Sequence, residues 1–146
     1  MPQIKAYDEI QLNCFVDDVW NVLIDIPNYQ RWWPKAVNLK VLKLTNELIG
    51  TEFQANPFGG KSFSCKVASL IPNKEIRLNY FDGIYRGEGI WKVEGKDGLV
   101  KVGYSVDLEI VDKSIAVLSK IISIPKLHSW IIKKILNGLE ERLKSN

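Results

Sequence analysis

Tyr85-Arg-Gly-Glu-Gly-Ile-Trp-Lys-Val-Glu-Gly-Lys-Asp-Gly-Leu-Val-Lys-Val-Gly-Tyr-Ser-Val-Asp-Leu-Glu-Ile110 is the stretch on which the fold turns. Tyr85, Gly87, Gly89, Trp91 and Val93 share one parity. After the turn signal Lys96-Asp97-Gly98, Val100, Val102, Tyr104, Val106, Leu108 and Ile110 share one parity again. A period of two puts each set on one face of a strand, and a short Asp-Gly connection makes the pair an antiparallel hairpin. Lys92, Lys101, Asp107 and Glu109 fall on the other face. One face of the sheet is therefore wet, and the opposite face needs a cover.

Upstream the same pattern repeats. Ile76, Leu78 and Tyr80 lie between Pro72-Asn73 and Asp82-Gly83; Phe63, Cys65 and Val67 follow the turn Asn56-Pro-Phe-Gly-Gly60. Phe53 and Ala55 follow Gly50-Thr51, and Val37, Leu39 and Val41 suggest a strand before them, with Leu44 near its end. Six successive strands with short turns predict an antiparallel meander. A further strand is expected at residues 4–14, where Ile4, Ala6, Ile10, Leu12 and Cys14 alternate and Asp8 interrupts them. Between it and the meander, Val19, Trp20, Leu23 and Ile24 form a helical stripe over about 17–25, which Asp17 or Asp18 can cap. Pro27 opens a second short helix, Asn28–Trp33, and Pro34 ends it.

The cover comes from the tail. Over residues 126–144, Leu127, Ile131, Ile135, Leu139 and Leu143 follow an i, i+4 series, joined by Trp130, Ile132 and Leu136. The expected architecture is α+β: a curved antiparallel seven-strand sheet wrapped around a long C-terminal helix, with two short helices after strand 1. A curved sheet seldom packs tightly on one helix along its whole length, so an apolar cavity between them is expected. No linker or repeat divides residues 1–146, which are read as a single ligand-binding domain.

The 146 residues are 46% hydrophobic and 25% charged, the balance of an ordinary globular chain. The formal net charge of +3 is too small to argue for nucleic acid, and no nucleic-acid partner is expected. The positive charge is uneven: from Asp112 onward stand seven basic and three acidic residues, against thirteen and fourteen before it. No apolar run is long enough to span a bilayer, and the first residues lack the pattern of a signal peptide. Cys14 and Cys65 have no metal-ligand or redox spacing and are read as two buried, reduced thiols of a cytoplasmic protein.

Several stretches are similar to one family. Val19-Trp20-Asn21-Val22-Leu23, Asp25-Ile26 and Asn28-Tyr29-Gln30-Arg31-Trp32-Trp33-Pro34 resemble the START-like (SRPBCC) superfamily, in its polyketide cyclase/dehydrase and lipid-transport branch. Gly83–Trp91 and Asn137–Leu143 extend the resemblance to nearly the whole chain. These are scaffold residues. The resemblance implies the helix-grip fold and a lipid, sterol, polyketide or hormone ligand; a minority of such proteins catalyse cyclisation or dehydration. As analogy of fold, it does not settle function.

Ala55-Asn-Pro-Phe-Gly-Gly60-Lys61-Ser62 imitates a phosphate-binding loop. That chemistry needs a helix N-terminus after the loop, whereas Ser62–Val67 continues with period two, so the stretch reads as a hairpin turn and no cofactor is expected. His128, the lone histidine, falls within the apolar arc of the long helix. It is either a polar group of the cavity, available for hydrogen bonding or general-base work, or a core histidine satisfied by a backbone carbonyl or Tyr104. With no second histidine or paired cysteine, a metal site is not expected. Trp33 is placed at the cavity border. Phe53, Phe63, Tyr80, Tyr85, Trp91 and Tyr104 are placed on the inward strand faces, and Ile131 on the helix. Together with His128 these line the expected cavity. Gly87 and Gly89 either empty volume there or mark a bend.

No Ser/His/Asp, Cys/His or inward carboxylate pair can be placed, so no catalytic residue is assigned. Three readings stay open: a binding module for a hydrophobic small molecule, a polyketide cyclase/dehydrase, or an interaction protein near a membrane, like the coenzyme Q-binding relatives. The apolar segment with Lys113, Lys120 and Lys126 is either packed, a lid over the cavity, or a transient membrane contact spanning residues 113–126. Ligand identity and oligomeric state are not legible.

Overall fold

The computed structural model describes residues 2–145. Strand β1 (Gln3–Asn13) leads into helix α1 (Val16–Leu23) and 3-10 turns at Ile26–Arg31 and Lys35–Val37. Strands β2 (Lys40–Lys43), β3 (Glu52–Ala55), β4 (Phe63–Ile71), β5 (Glu75–Phe81), β6 (Tyr85–Lys96) and β7 (Leu99–Ile110) follow, then helices α2 (Lys113–Leu118) and α3 (Ile124–Lys144). The sheet order is β1-β7-β6-β5-β4-β3-β2, and every neighbouring pair is antiparallel. This is the expected seven-strand meander, with β1 closing it along β7. The hairpin that carries the fold is in register with Trp91 opposite Tyr104 and Val93 opposite Val102. Its turn residues Asp97 and Gly98 have φ of 55° and 78°, the two left-handed positions that match the twist of the flanking strands.

Four local expectations are corrected. Val37 lies in a 3-10 turn, not a strand; Pro34 starts that turn, and Asn38, at φ 52°, swings the chain away before pairing begins at Lys40. Neither Asp17 nor Asp18 caps α1: both lie inside its first turn, where negative charge favours the helix dipole. The long helix starts at Ile124, with Ser123 as its cap and Pro125 in its first turn, where a missing N–H costs nothing. Its buried face is Ile124, His128, Ile132, Ile135, Leu136 and Leu139; Leu127 and Trp130 are exposed, while Ile131 and Leu143 are half-buried. Each step of four residues advances about 40° around the helix, so an i, i+4 series winds off any one face within a few steps.

The glycines of β6 serve the backbone and the tyrosines more than empty space. Gly87 has φ 144°, and a Cβ there would sit 2.1 Å from the Asp107 carbonyl oxygen. A Cβ on Gly89 would meet the Tyr104 hydroxyl at 2.1 Å and the Tyr80 ring at 2.9 Å. The volume is thus filled by tyrosine.

Helix α3 is fixed at Gly138. A Cβ there would lie 2.0 Å from the Trp32 carbonyl oxygen, so the glycine lets the chain after α1 close on the helix. Gly138→Ala would gain about 1 kcal/mol of helix propensity but force this backbone contact apart, at ~3 kcal/mol. Thermal unfolding of the variant is expected to fall by several degrees; a Tm at or above that of the parent would show that the contact is not fixed.

Candidate functional site

Between the concave sheet face and α3 lies a hollow of about 240 Å³. Trp33, Phe53, Phe63, Tyr80, Tyr85, Trp91, Tyr104, His128 and Ile131 all line it. Strand parity accounts for most of them. Phe53 stands opposite Cys65, which stands opposite Tyr80, and directly opposed residues of antiparallel strands share a face. Phe63 stacks on Tyr80 with ring centroids 5.3 Å apart and leans on Tyr85 at 5.0 Å. Trp91 and Tyr104 approach to 4.7 Å. Trp33 stacks on Tyr29 at 5.1 Å, while Trp32 is buried in the core beside it.

The polar equipment is sparse. The Tyr80 and Tyr104 hydroxyls hydrogen-bond one another at 2.5 Å, and burial pushes both phenols well above their ordinary pKa. Burial pushes Tyr85 up to about 12. These groups stay protonated near neutrality and cannot serve as bases there. His128 sits edge-on to Tyr85, with centroids 6.3 Å apart. Neither a carbonyl nor Tyr104 satisfies its Nδ1: that atom is buried without a partner, as is Nε1 of Trp33. Burial lowers the His128 pKa to about 4, against an opposing pull from Asp8, so the imidazole is neutral at pH 7.

Asp8 is the residue that sequence reasoning passed over. It stands opposite Tyr104 and therefore shares the inner face. The lapse of alternation in β1 was its signal: an acid kept at an inward position. The rim is the other omission. Phe58, Lys61, Leu118 and Leu127 line the hollow and reach solvent, but they belong to a connection and helix ends whose side chains have no parity. Lys61 Nζ donates to Asp112 Oδ2 at 2.8 Å, and Asp112 Oδ1 accepts the Ile115 N–H at 3.0 Å. The start of α2 is thereby tied across the mouth to the β3–β4 connection. Lys61, with Ser114 and the Ile115 amide, holds the Asp112 carboxyl well below the usual carboxylate range. That connection contains only a 3-10 turn, Pro57–Gly59, and runs into a strand, so the phosphate-loop imitation lacks its helix.

Cys65 is buried at the wall and its thiol pKa is pushed up by burial; Cys14 is half-buried, so only one of the two thiols is interior. Among the described residues, no group of three or more His, Cys, Asp or Glu could hold a metal ion. No described helix is long and apolar enough to cross a membrane.

A long helix gripped by a seven-strand antiparallel sheet is the helix-grip fold. The family model "Polyketide cyclase / dehydrase and lipid transport" matches residues 14–137, and the chain belongs to that family. A START superfamily protein from Mycobacterium smegmatis superposes with a TM-score of 0.70 at 14% identity, over 97% of each chain. The Zhui aromatase/cyclase from Streptomyces sp. R1128 gives 0.71 at 14%, over 98% of this chain and 94% of that one. Norcoclaurine synthase from Thalictrum flavum, in complex with dopamine and hydroxybenzaldehyde, gives 0.70 at 13%, over 99% and 88%. At such identities the likeness is one of fold. No curated protein matches the chain significantly in sequence.

The buried histidine has a consequence for stability. Its folded pKa of about 4 lies below the ordinary 6.5, so between those values the unfolded chain holds more protons than the folded one. Stability is therefore full above about pH 6.5 and declines as the pH falls toward 4, by ~3 kcal/mol from this group. Chemical denaturation of His128→Leu at a series of pH values should give a profile flatter by about that amount. A profile parallel to that of the parent would remove His128 as the cause.

Proposed function

We propose that residues 1–146 act as one domain that binds a hydrophobic or aromatic small molecule, such as a lipid or polyketide, between the sheet and α3. The observation that carries this reading is the unpartnered Nδ1 of His128, buried in a residue that lines an apolar hollow. Buried polar atoms nearly always have partners, and a ligand hydroxyl or carbonyl would supply one. Trp33 Nε1 adds a second unpartnered group, a donor. The volume supports it too. An apolar cavity of about 150 Å³ takes up benzene, and this one, at about 240 Å³, suits a body of two or more fused rings or a short acyl chain. The aromatic ligands named for the norcoclaurine synthase neighbour agree with a flat guest. The free thiols of Cys14 and Cys65 suit a cytoplasmic setting.

A cyclase or dehydrase reading rests on the family description and on the same neutral imidazole. It is the weaker one. No Asp or Glu is among the described residues that line the hollow, and Tyr80 and Tyr104 are engaged with each other. Any catalysis would run through shape, orientation and His128.

Native mass spectrometry with a panel of fused-ring phenols, polyketide mimics and fatty acids tests the binding reading. At least one member is expected to bind the full chain. His128→Ala should weaken that member about 3- to 10-fold, the worth of one hydrogen bond, with little change in Tm. Binding by no member of the panel would overturn the reading.

A further inference from the structure

We propose that the face formed by α2, the turn after it and the first half of α3 docks on an anionic lipid bilayer, with the mouth of the hollow turned toward the lipid. Ile121 is 83% exposed, Val117 59%, Trp130 52% and Ile122 45%. Val117, Ile121 and Ile122 fall within six residues of chain, and exposed apolar side chains gathered in this way mark a contact surface. Between Lys113 and Leu139 stand five lysines, 113, 120, 126, 133 and 134, and no carboxylate. All five are exposed, and among the described residues none forms an ion pair. Lys134 Nζ lies 5.3 Å from the Trp130 ring centroid, which pairs a cation with an aromatic of the kind that settles at the headgroup level.

The charge selects the occupant. A second copy docked face to face would set five lysines against five, and like charges across an interface oppose association. A nucleic-acid strand would find one exposed tryptophan among isoleucines and valines, which offer neither stacking nor hydrogen bonds. Anionic headgroups meet the lysines, and acyl chains receive the aliphatic side chains between them. The position agrees as well. Leu118 and Leu127, on either side of the exposed turn, line the hollow. Phe58 and Ile131 line both the hollow and the groove beside Trp130.

That the surface serves to exchange the cavity guest with the bilayer rests on the binding reading above; the docking itself does not. Vesicle flotation of the full chain, with no guest added, separates the two. The probe is phosphatidylcholine vesicles with and without 30% phosphatidylglycerol. Binding to the anionic vesicles is expected to exceed binding to the neutral ones at least about tenfold and to weaken with salt. Ile121→Asp with Ile122→Asp, and separately Lys120→Glu with Lys126→Glu, should each reduce it at least about tenfold. All four positions are exposed, so circular dichroism should be unchanged. Absence of binding to anionic vesicles overturns the proposal, as does binding indifferent to the isoleucine pair. A failed ligand panel with intact vesicle binding would overturn only the cavity reading.

Discussion

The inner face of the sheet has to be taken out of water, and among the described residues only one helix is long enough to do so. That constraint shapes everything else. α3 lays Ile132, Ile135, Leu136 and Leu139 onto the sheet, and the chain behind it closes through Gly138 against the Trp32 carbonyl. A straight rod cannot follow a curved surface from end to end. The hollow lies along the first part of the helix, where Ile124, His128, Ile131, Ile132 and Ile135 line it. The cavity is therefore the residue of a geometric mismatch, held open because Tyr80, Tyr104 and Trp91 pack against one another and against Gly89 rather than collapsing inward.

That geometry also explains the division of polar groups. Tyr80 and Tyr104 share one hydrogen bond, so the donor of that bond is spent and the accepting hydroxyl keeps its own O–H. His128 lies on the side of the hollow where the helix leaves the sheet and has no such partner for Nδ1. Burial forces its neutral form. A neutral imidazole can give or accept one hydrogen bond without carrying charge into the interior, which is the right property for a pocket that must stay dry.

Most of the fold was legible because a strand has one degree of freedom that matters, its parity. Val100 through Ile110 could face only one way, and the register from Phe53 to Tyr104 followed. The nine residues assigned to the cavity from the sequence all line the hollow, six of them through strand parity. The helix was harder. A series such as Leu127, Ile131, Ile135 looks like a face but spirals off it, and Leu127 and Trp130 end in solvent. Asp8 was obscured by the opposite error, since a lone acid in a strand is easily taken for a break in the pattern rather than a half-buried residue on the inner face. Val37 shows a third limit: apolar alternation persists through a 3-10 turn that Pro34 and Asn38 impose. The rim residues Phe58 and Lys61 belong to a connection, where position follows from turn geometry and not from period.

The misfit of Leu127 and Trp130 with the core is informative in its own right. Had α3 served only to cover the sheet, polar residues at those positions would do equally well and would keep the surface wet. Instead the outer side of its first turns continues the apolar lining of the mouth outward, through Leu118, Ile121 and Ile122. Apolar side chains thus stand both inside the hollow and outside its mouth, near the Lys61–Asp112 tie. A guest of the kind proposed above would pass one mutually neutralised pair, Lys61 and Asp112, among exposed apolar side chains. Such a mouth fits the exchange with a bilayer proposed above better than loading from water, because a polar rim would serve the latter.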